Sequence, residues 1–186
     1  MKFLFCILKY IKEDIFVEYH IFDLDGTLID TSISHLLALR AVQKEFILNK
    51  NVKLGGDLKK NIYHLVQNKI DFSEAVRIYQ RYFIQNIDKA VPLFSEVFIK
   101  NLRNTILLTG RDYVTTQALL NKFFPNYFRF IFTSDDCDKE NPEQIQNVLR
   151  HIIRINTYDT VQYWGDSIVD RRLAAKIGAI YNDRSI

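Results

Sequence analysis

The chain has 186 residues, enough for one well-packed domain or one domain carrying a modest insertion, and its 48% apolar and 25% charged content is that of an ordinary soluble globular protein. A formal charge of +3 with no long Lys/Arg block argues against a nucleic-acid partner, and no stretch reaches the roughly 20 apolar residues needed to cross a bilayer, so no membrane partner is expected. Cys6 and Cys137 belong to no Cys-x-x-Cys or Cys/His pattern, which argues against a zinc site or disulfide framework and for a reducing cytoplasm. With 14 Phe and 10 Tyr against 6 Gly and 3 Pro, the core should be aromatic-rich and the loops short.

In chain order, the apolar start is broken by Lys9 and Lys12 without a small-residue cleavage site, and reads as an extra strand or short helix of the mature protein. Residues 17–22 form a mostly apolar and aromatic run that predicts a buried strand. Three helices follow with no strand between them: 32–48, with Ile33, Leu36, Leu37, Ala41 and Val42 in helical register; 57–68 behind a possible Asp57 cap; and 73–85 behind Ser73. After Pro92 come a short helix at 95–102, a strand at 105–108, a helix at 113–124, a strand at 128–132, a helix at 142–155, a strand at 160–164, a helix at 169–177 and a strand at 179–181. This alternation predicts an α/β fold, a Rossmann-like doubly wound parallel sheet with helices on both faces. The three helices span roughly 60 residues, too long for a simple crossover, and predict a small all-helical cap inserted after the first strand. The expected division is a core of 1–31 and 92–186 and a cap of 32–91.

The most informative feature is Asp23-Leu24-Asp25-Gly26-Thr27-Leu28, directly after the first strand. Alternation along an extended chain puts Asp23 and Asp25 on one side, at the sheet edge where open α/β folds bind ligands. One acid can attack while the other shuttles a proton; Gly26 frees the backbone for a sharp turn and Thr27 adds a hydroxyl. An Asp-Gly pair is also an ordinary turn former. The later strands supply more at the same edge: Thr109-Gly110-Arg111 after the second, Asp135 to Lys139 after the third, and Gly165-Asp166-Ser167 with Asp170 after the fourth. Singly, each has a plainer reading: a strand exit, a solvated Lys139–Glu140 pair, a helix cap. Their convergence on one edge of one sheet is what the plain readings leave unexplained.

These motifs resemble those of the haloacid dehalogenase-like superfamily over nearly the whole chain, and the helical insert resembles the cap of its phosphoglycolate phosphatase and phosphoglucomutase branch. The resemblance implies a phosphatase in which Asp23 is the nucleophile, forming an aspartyl-phosphate, and Asp25, protonated at first, is the general acid and then base. It implies catalytic and phosphate-binding roles for Thr109 and Lys139, with Gly110 and Arg111 beside them. A Mg²⁺ cofactor would be held by the Asp23 carboxylate, the Asp25 main-chain carbonyl, Asp166 and Asp170. The family commonly has Pro straight after the lysine and again two residues on; here Glu140 takes the first place and Pro142 remains. Lys122, the nearest other lysine, falls within a predicted helix.

The presence of Asp25 favours phosphate chemistry over dehalogenation, which needs no leaving-group acid. A cap that excludes water favours a small phosphorylated metabolite as substrate; a monomer or weak dimer is expected. In the cap, 53–60, with Gly55, Gly56 and several lysines, resembles a substrate-specificity loop, or is an ordinary helix–helix turn. A phosphomutase of the same superfamily and a catalytically silent binding module that keeps the fold remain the alternatives. His20, His35, His64 and His151 lack metal-ligand spacing and read as surface or packing residues, and Trp164 as core.

Overall fold

The computed structural model describes residues 17–48, 58–66, 71–156 and 159–184. The expectations for 1–16, for the Asp57 cap and for residues 53–57 of the glycine–lysine loop at 53–60 fall outside them. Strands β1 (Glu18–Phe22), β4 (Thr105–Leu108), β5 (Phe130–Phe132), β6 (Thr160–Gly165) and β7 (Ile180–Asp183) form a parallel sheet in the order β5-β4-β1-β6-β7. The chain winds outward from β1 through β4 and β5, then returns to the other side of β1 through β6 and β7. This is the doubly wound, Rossmann-like α/β fold expected from the alternation, and its switch point lies at β1 between β4 and β6.

Period-2 alternation gives each sheet face its own core. Ile21, Ile106 and Tyr163 lie in register and are buried on one face with helices α6 (Pro142–Asn147) and α7 (Ile168–Ile177). Phe22 and Leu107 face the opposite way, into a cluster that runs on through Leu24 and Leu28 to Leu39, Val42, Tyr79 and Phe83 of the insert. Helices α1 (Ser32–Glu45), α2 (Leu58–Val66) and α3 (Phe72–Gln85) therefore share a continuous apolar core with one face of the sheet. The insert leaves and returns through an antiparallel pair too short to be read from sequence, β2 (Ile29–Asp30) with β3 (Val91–Pro92). Trp164 stacks on Phe22 at 5.7 Å between ring centroids and meets Phe94 and Phe98 edge-on, the expected aromatic packing.

Element ends shifted from expectation where local chemistry differed. Helix α3 starts at Phe72 because Asp71, not Ser73, caps it; the Asp71 carboxylate accepts from the Ser73 amide at 2.9 Å. The helix expected over 142–155 becomes α6 followed by a wider π turn, Val148–Ile153, closed by Arg154 in the left-handed region. The turn buries both Leu149 and Ile153 in the second core. Short helix α4 (Glu96–Lys100) leads into β4, and α5 (Tyr113–Phe123) follows it behind an Asp112 cap. Among the described residues no helix is long and apolar enough to cross a membrane.

Candidate active site

Each sheet strand near the switch point delivers a polar group to the same carboxyl edge. Asp23 follows β1, and its amide donates to the Trp164 carbonyl of β6 at 2.9 Å, locking the motif to the neighbouring strand. Gly26, at φ +78°, makes the sharp turn; a Cβ there would lie 2.8 Å from the Asp166 Cγ, so this position needs glycine for both conformation and space. At Gly165 a Cβ would lie 2.6 Å from the Asp170 Cγ, and its absence lets the α7 N-terminus close on β6. Ser167 caps α7 in a reciprocal capping box with Asp170, and Asn141 caps α6 with Pro142 in its first turn, just after Lys139.

Lys139 lands at the centre. Its Nζ lies 2.5 Å from Asp23 Oδ1 and 2.6 Å from Asp170 Oδ1, with all three groups nearly buried. Lys122, the competing lysine, is instead paired with Asp88. Thr27 Oγ1 lies 3.4 Å from Asp23 Oδ2 and 3.3 Å from Asp166 Oδ1, linking the first and fourth motifs. Carboxylate oxygens of Asp23, Asp166 and Asp170 lie within 4.8 Å of one another. Three hard oxygen donors on one side, in a cradle that two glycines keep open, fit a divalent cation such as Mg²⁺.

The cavity in front of these groups measures about 300 Å³, and Asp23, Asp25, Thr109, Gly110, Arg111, Lys139 and Asp166 line it together with Asp30, Thr31 and His35. Asp170 sits behind the wall, fully buried, where the Tyr163 hydroxyl donates to it at 2.8 Å and Ser167 Oγ at 2.5 Å. Thr109 is held by β4–β5 pairing, and its hydroxyl accepts from the Arg111 amide at 3.1 Å.

Burial pushes the Asp23 carboxyl well above the usual carboxylate range; Lys139 pulls it down and Asp170 pushes it further up. Burial acts on Asp170 in the same sense, but Lys139, Ser167 and Tyr163 outweigh it and hold Asp170 low. Asp166, half-buried, is raised by burial and by Asp170.

Asp25 is held by a different set of partners from the other acids. Burial raises its value, yet the Arg111 guanidinium and Thr31 more than offset that and hold it below the ordinary carboxylate range. Arg111, expected among the phosphate contacts, is turned onto Asp25: Nη2 is 2.7 Å from Oδ1 and Nε 2.9 Å from Oδ2. Sequence reasoning also missed Thr31, His35, Tyr79 and Tyr163. His35 was read as packing, and it does pack on Tyr79, with Nδ1 2.7 Å from the hydroxyl, but it also lines the cavity. The available signal was its place on the first turn of a helix that begins straight after the acidic motif.

A doubly wound sheet with acids, a hydroxyl and an ammonium gathered at its carboxyl edge defines a Rossmann-like α/β enzyme. The family model for haloacid dehalogenase-like hydrolases matches residues 20–181, and the chain belongs to that family. In fold it is similar to the crystal structure of CbbY from Rhodobacter sphaeroides in complex with phosphate (TM-score 0.70, 16% identity, covering 89% of this chain and 84% of that one). It is also similar to a protein assigned as a phosphoglycolate phosphatase from Lactobacillus plantarum (0.69, 14%, 89% and 85%) and to a haloacid dehalogenase-like protein from Streptococcus pneumoniae (0.64, 21%, 89% and 83%). No curated protein matches the chain by sequence.

Proposed function

We propose that the protein is a magnesium-dependent phosphatase acting on a small phosphorylated metabolite through an aspartyl-phosphate on Asp23. The observation that carries this is Lys139 bridging Asp23 and Asp170 within the three-acid cluster, at a cavity of about 300 Å³ that Thr109 also lines. That volume lies at the small end of ligand pockets. Phosphate bound to the similarly folded CbbY is in keeping with a phosphoryl site at this edge.

Among the described lining residues, acids outnumber the cations Lys139 and Arg111, and Arg111 is already committed to Asp25, so an anionic ester needs further positive charge. The side chains of Asp23, Asp166 and Asp170, with the Asp25 main-chain carbonyl, would hold Mg²⁺; bound there, the ion would keep the acids ionised and draw charge from the phosphoryl oxygens. Thr109, the Gly110 amide and Lys139 orient the phosphoryl group toward Asp23.

Asp23 Oδ attacks phosphorus as the ester bond to the leaving oxygen breaks. A monoanionic ester brings one proton, which Asp25 accepts and passes to the leaving alkoxide, giving the alcohol. Water then attacks the aspartyl-phosphate, Asp25 takes its proton, and phosphate leaves with that proton as Asp23 regains its carboxylate.

Release of phosphate from p-nitrophenyl phosphate with and without Mg²⁺ tests the reading, using wild type and Asp23→Asn. Metal-dependent turnover lost in a folded Asp23→Asn protein is expected; turnover retained by that variant rejects covalent catalysis.

A further inference from the structure

Arg111 makes a set of contacts that leaves its guanidinium no donor for a substrate. A guanidinium has five N–H groups. Here Nε and one Nη2 hydrogen face Asp25, the other Nη2 hydrogen faces Thr31 Oγ1 at 3.3 Å, and Nη1 reaches the Tyr79 hydroxyl at 3.0 Å and Thr115 Oγ1 at 3.4 Å. The guanidinium plane lies over the Phe83 ring at 4.2 Å, and the side chain is only 3% exposed. A phosphate-binding arginine keeps part of its fork open to the ligand; this one is closed on every side.

The elements that close it come from both parts of the fold. Arg111 and Thr115 belong to the core segment after β4, whereas Tyr79 and Phe83 lie on α3 of the insert, and Thr31 directly precedes α1. Asp25, by contrast, takes its side-chain hydrogen bonds from Arg111 and Thr31, not from the lysine that serves the acid cluster. A catalytic carboxylate must be held near its working geometry, since small misplacements cost orders of magnitude in rate.

We infer that Arg111 is a positioning residue for Asp25, and that Tyr79 and Phe83 of the insert seat its guanidinium, so that docking of the insert on the core completes the acid/base. This rests on the acid/base reading of Asp25 above. The fork geometry is essential: two nitrogens fix both the direction and the plane of a carboxylate, which a lysine ammonium does not.

Two phosphate esters separate this role from its rivals. The p-nitrophenolate leaving group departs without a proton, whereas the alkoxide of glycerol 2-phosphate requires one. Because Asp25 also activates the water that opens the aspartyl-phosphate, a step common to both esters, the comparison is made in kcat/KM, which reports the steps through departure of the leaving group; with Asp25→Asn the loss of kcat/KM should fall largely on the alkyl ester, whose leaving group Asp25 serves. Equal losses on the two esters reject that role for Asp25 and with it the inference, while Asp23→Asn still reports separately on covalent catalysis.

For Arg111→Gln and Arg111→Lys, kcat/KM on the alkyl ester should fall about tenfold more than on the aryl ester. In the Asp25→Asn background Arg111→Gln should add little further loss, because the two residues act as one unit. Tyr79→Phe, which removes one hydroxyl and keeps the ring, should move the ratio in the same direction by a smaller factor, and it carries the test if the Arg111 variants do not fold. Equal falls in kcat/KM on the two esters mean that Arg111 meets the phosphate or only supports the fold; that result, or an unchanged ratio in Tyr79→Phe, overturns the inference.

Discussion

The Lys139 ammonium lies 2.5 Å from Asp23 across 116 residues of sequence, the closest link between the first and third motifs at the sheet edge. The same Nζ reaches Asp170 at 2.6 Å, so a single cation holds together two buried acids that would otherwise repel. Burial alone would favour neutral forms of all three groups, but mutual attraction raises Lys139 well above its ordinary value.

Replacing Lys139 with Met should therefore cost twice. Turnover should fall about 10²-fold or more through lost charge stabilisation, and unfolding free energy by about 3–5 kcal/mol because a partner is removed from a buried ion pair. The stability gap should narrow as pH falls and the acids take up protons. Urea denaturation at several pH values with steady-state kinetics checks both effects.

Magnesium should stabilise the folded protein through the acid cluster. At 100 times its dissociation constant a ligand adds about 2.7 kcal/mol, which for a chain of this length raises the melting temperature by roughly 5–10 °C. Asp166→Asn removes a half-exposed member of the cluster without disturbing the α7 cap, and should abolish most of the shift. Thermal melts with Mg²⁺ or a chelator measure it. An undiminished shift in the variant would place the ion elsewhere.

His35 should make the protein acid-sensitive. Burial and the nearby Arg111 charge push its value from 6.5 down to about 4, with Asp25 opposing. The unfolded chain takes up a proton below pH 6.5 that the folded chain refuses until about pH 4, so stability from this group is complete above the first value and is lost as pH falls between the two. The loss is on the order of 3 kcal/mol. Asp23, raised by burial, contributes a slope of opposite sign, so the readout is the difference between wild type and His35→Asn, which keeps an acceptor toward Tyr79. Denaturation across this pH range should give a shallower acid decline in the variant; parallel curves would contradict a neutral buried His35.

Much of this site was readable before any coordinates, for a local reason. Asp23, Gly26 and Thr27 lie within five residues, so strand alternation and one turn are enough to face them together. Ser167 and Asp170 are likewise joined by a single helical turn. Their strands were legible from apolar runs, and the doubly wound order from alternation with helices. The β2–β3 pair was not, because two-residue strands carry no periodicity.

Arg111 marks the boundary. Its place after β4 put it at the right edge in sequence, but a long side chain on a short loop can point several ways, and Tyr79, Phe83 and Thr31 turned it toward Asp25. Which groups exist at the carboxyl edge was thus determined by the sequence itself, since strand period and motif spacing are properties of a few consecutive residues. Which of those groups pair, and which carboxylates rest charged, was decided only by tertiary structure, because burial and Coulomb attraction depend on distances between segments that the chain brings together only when folded.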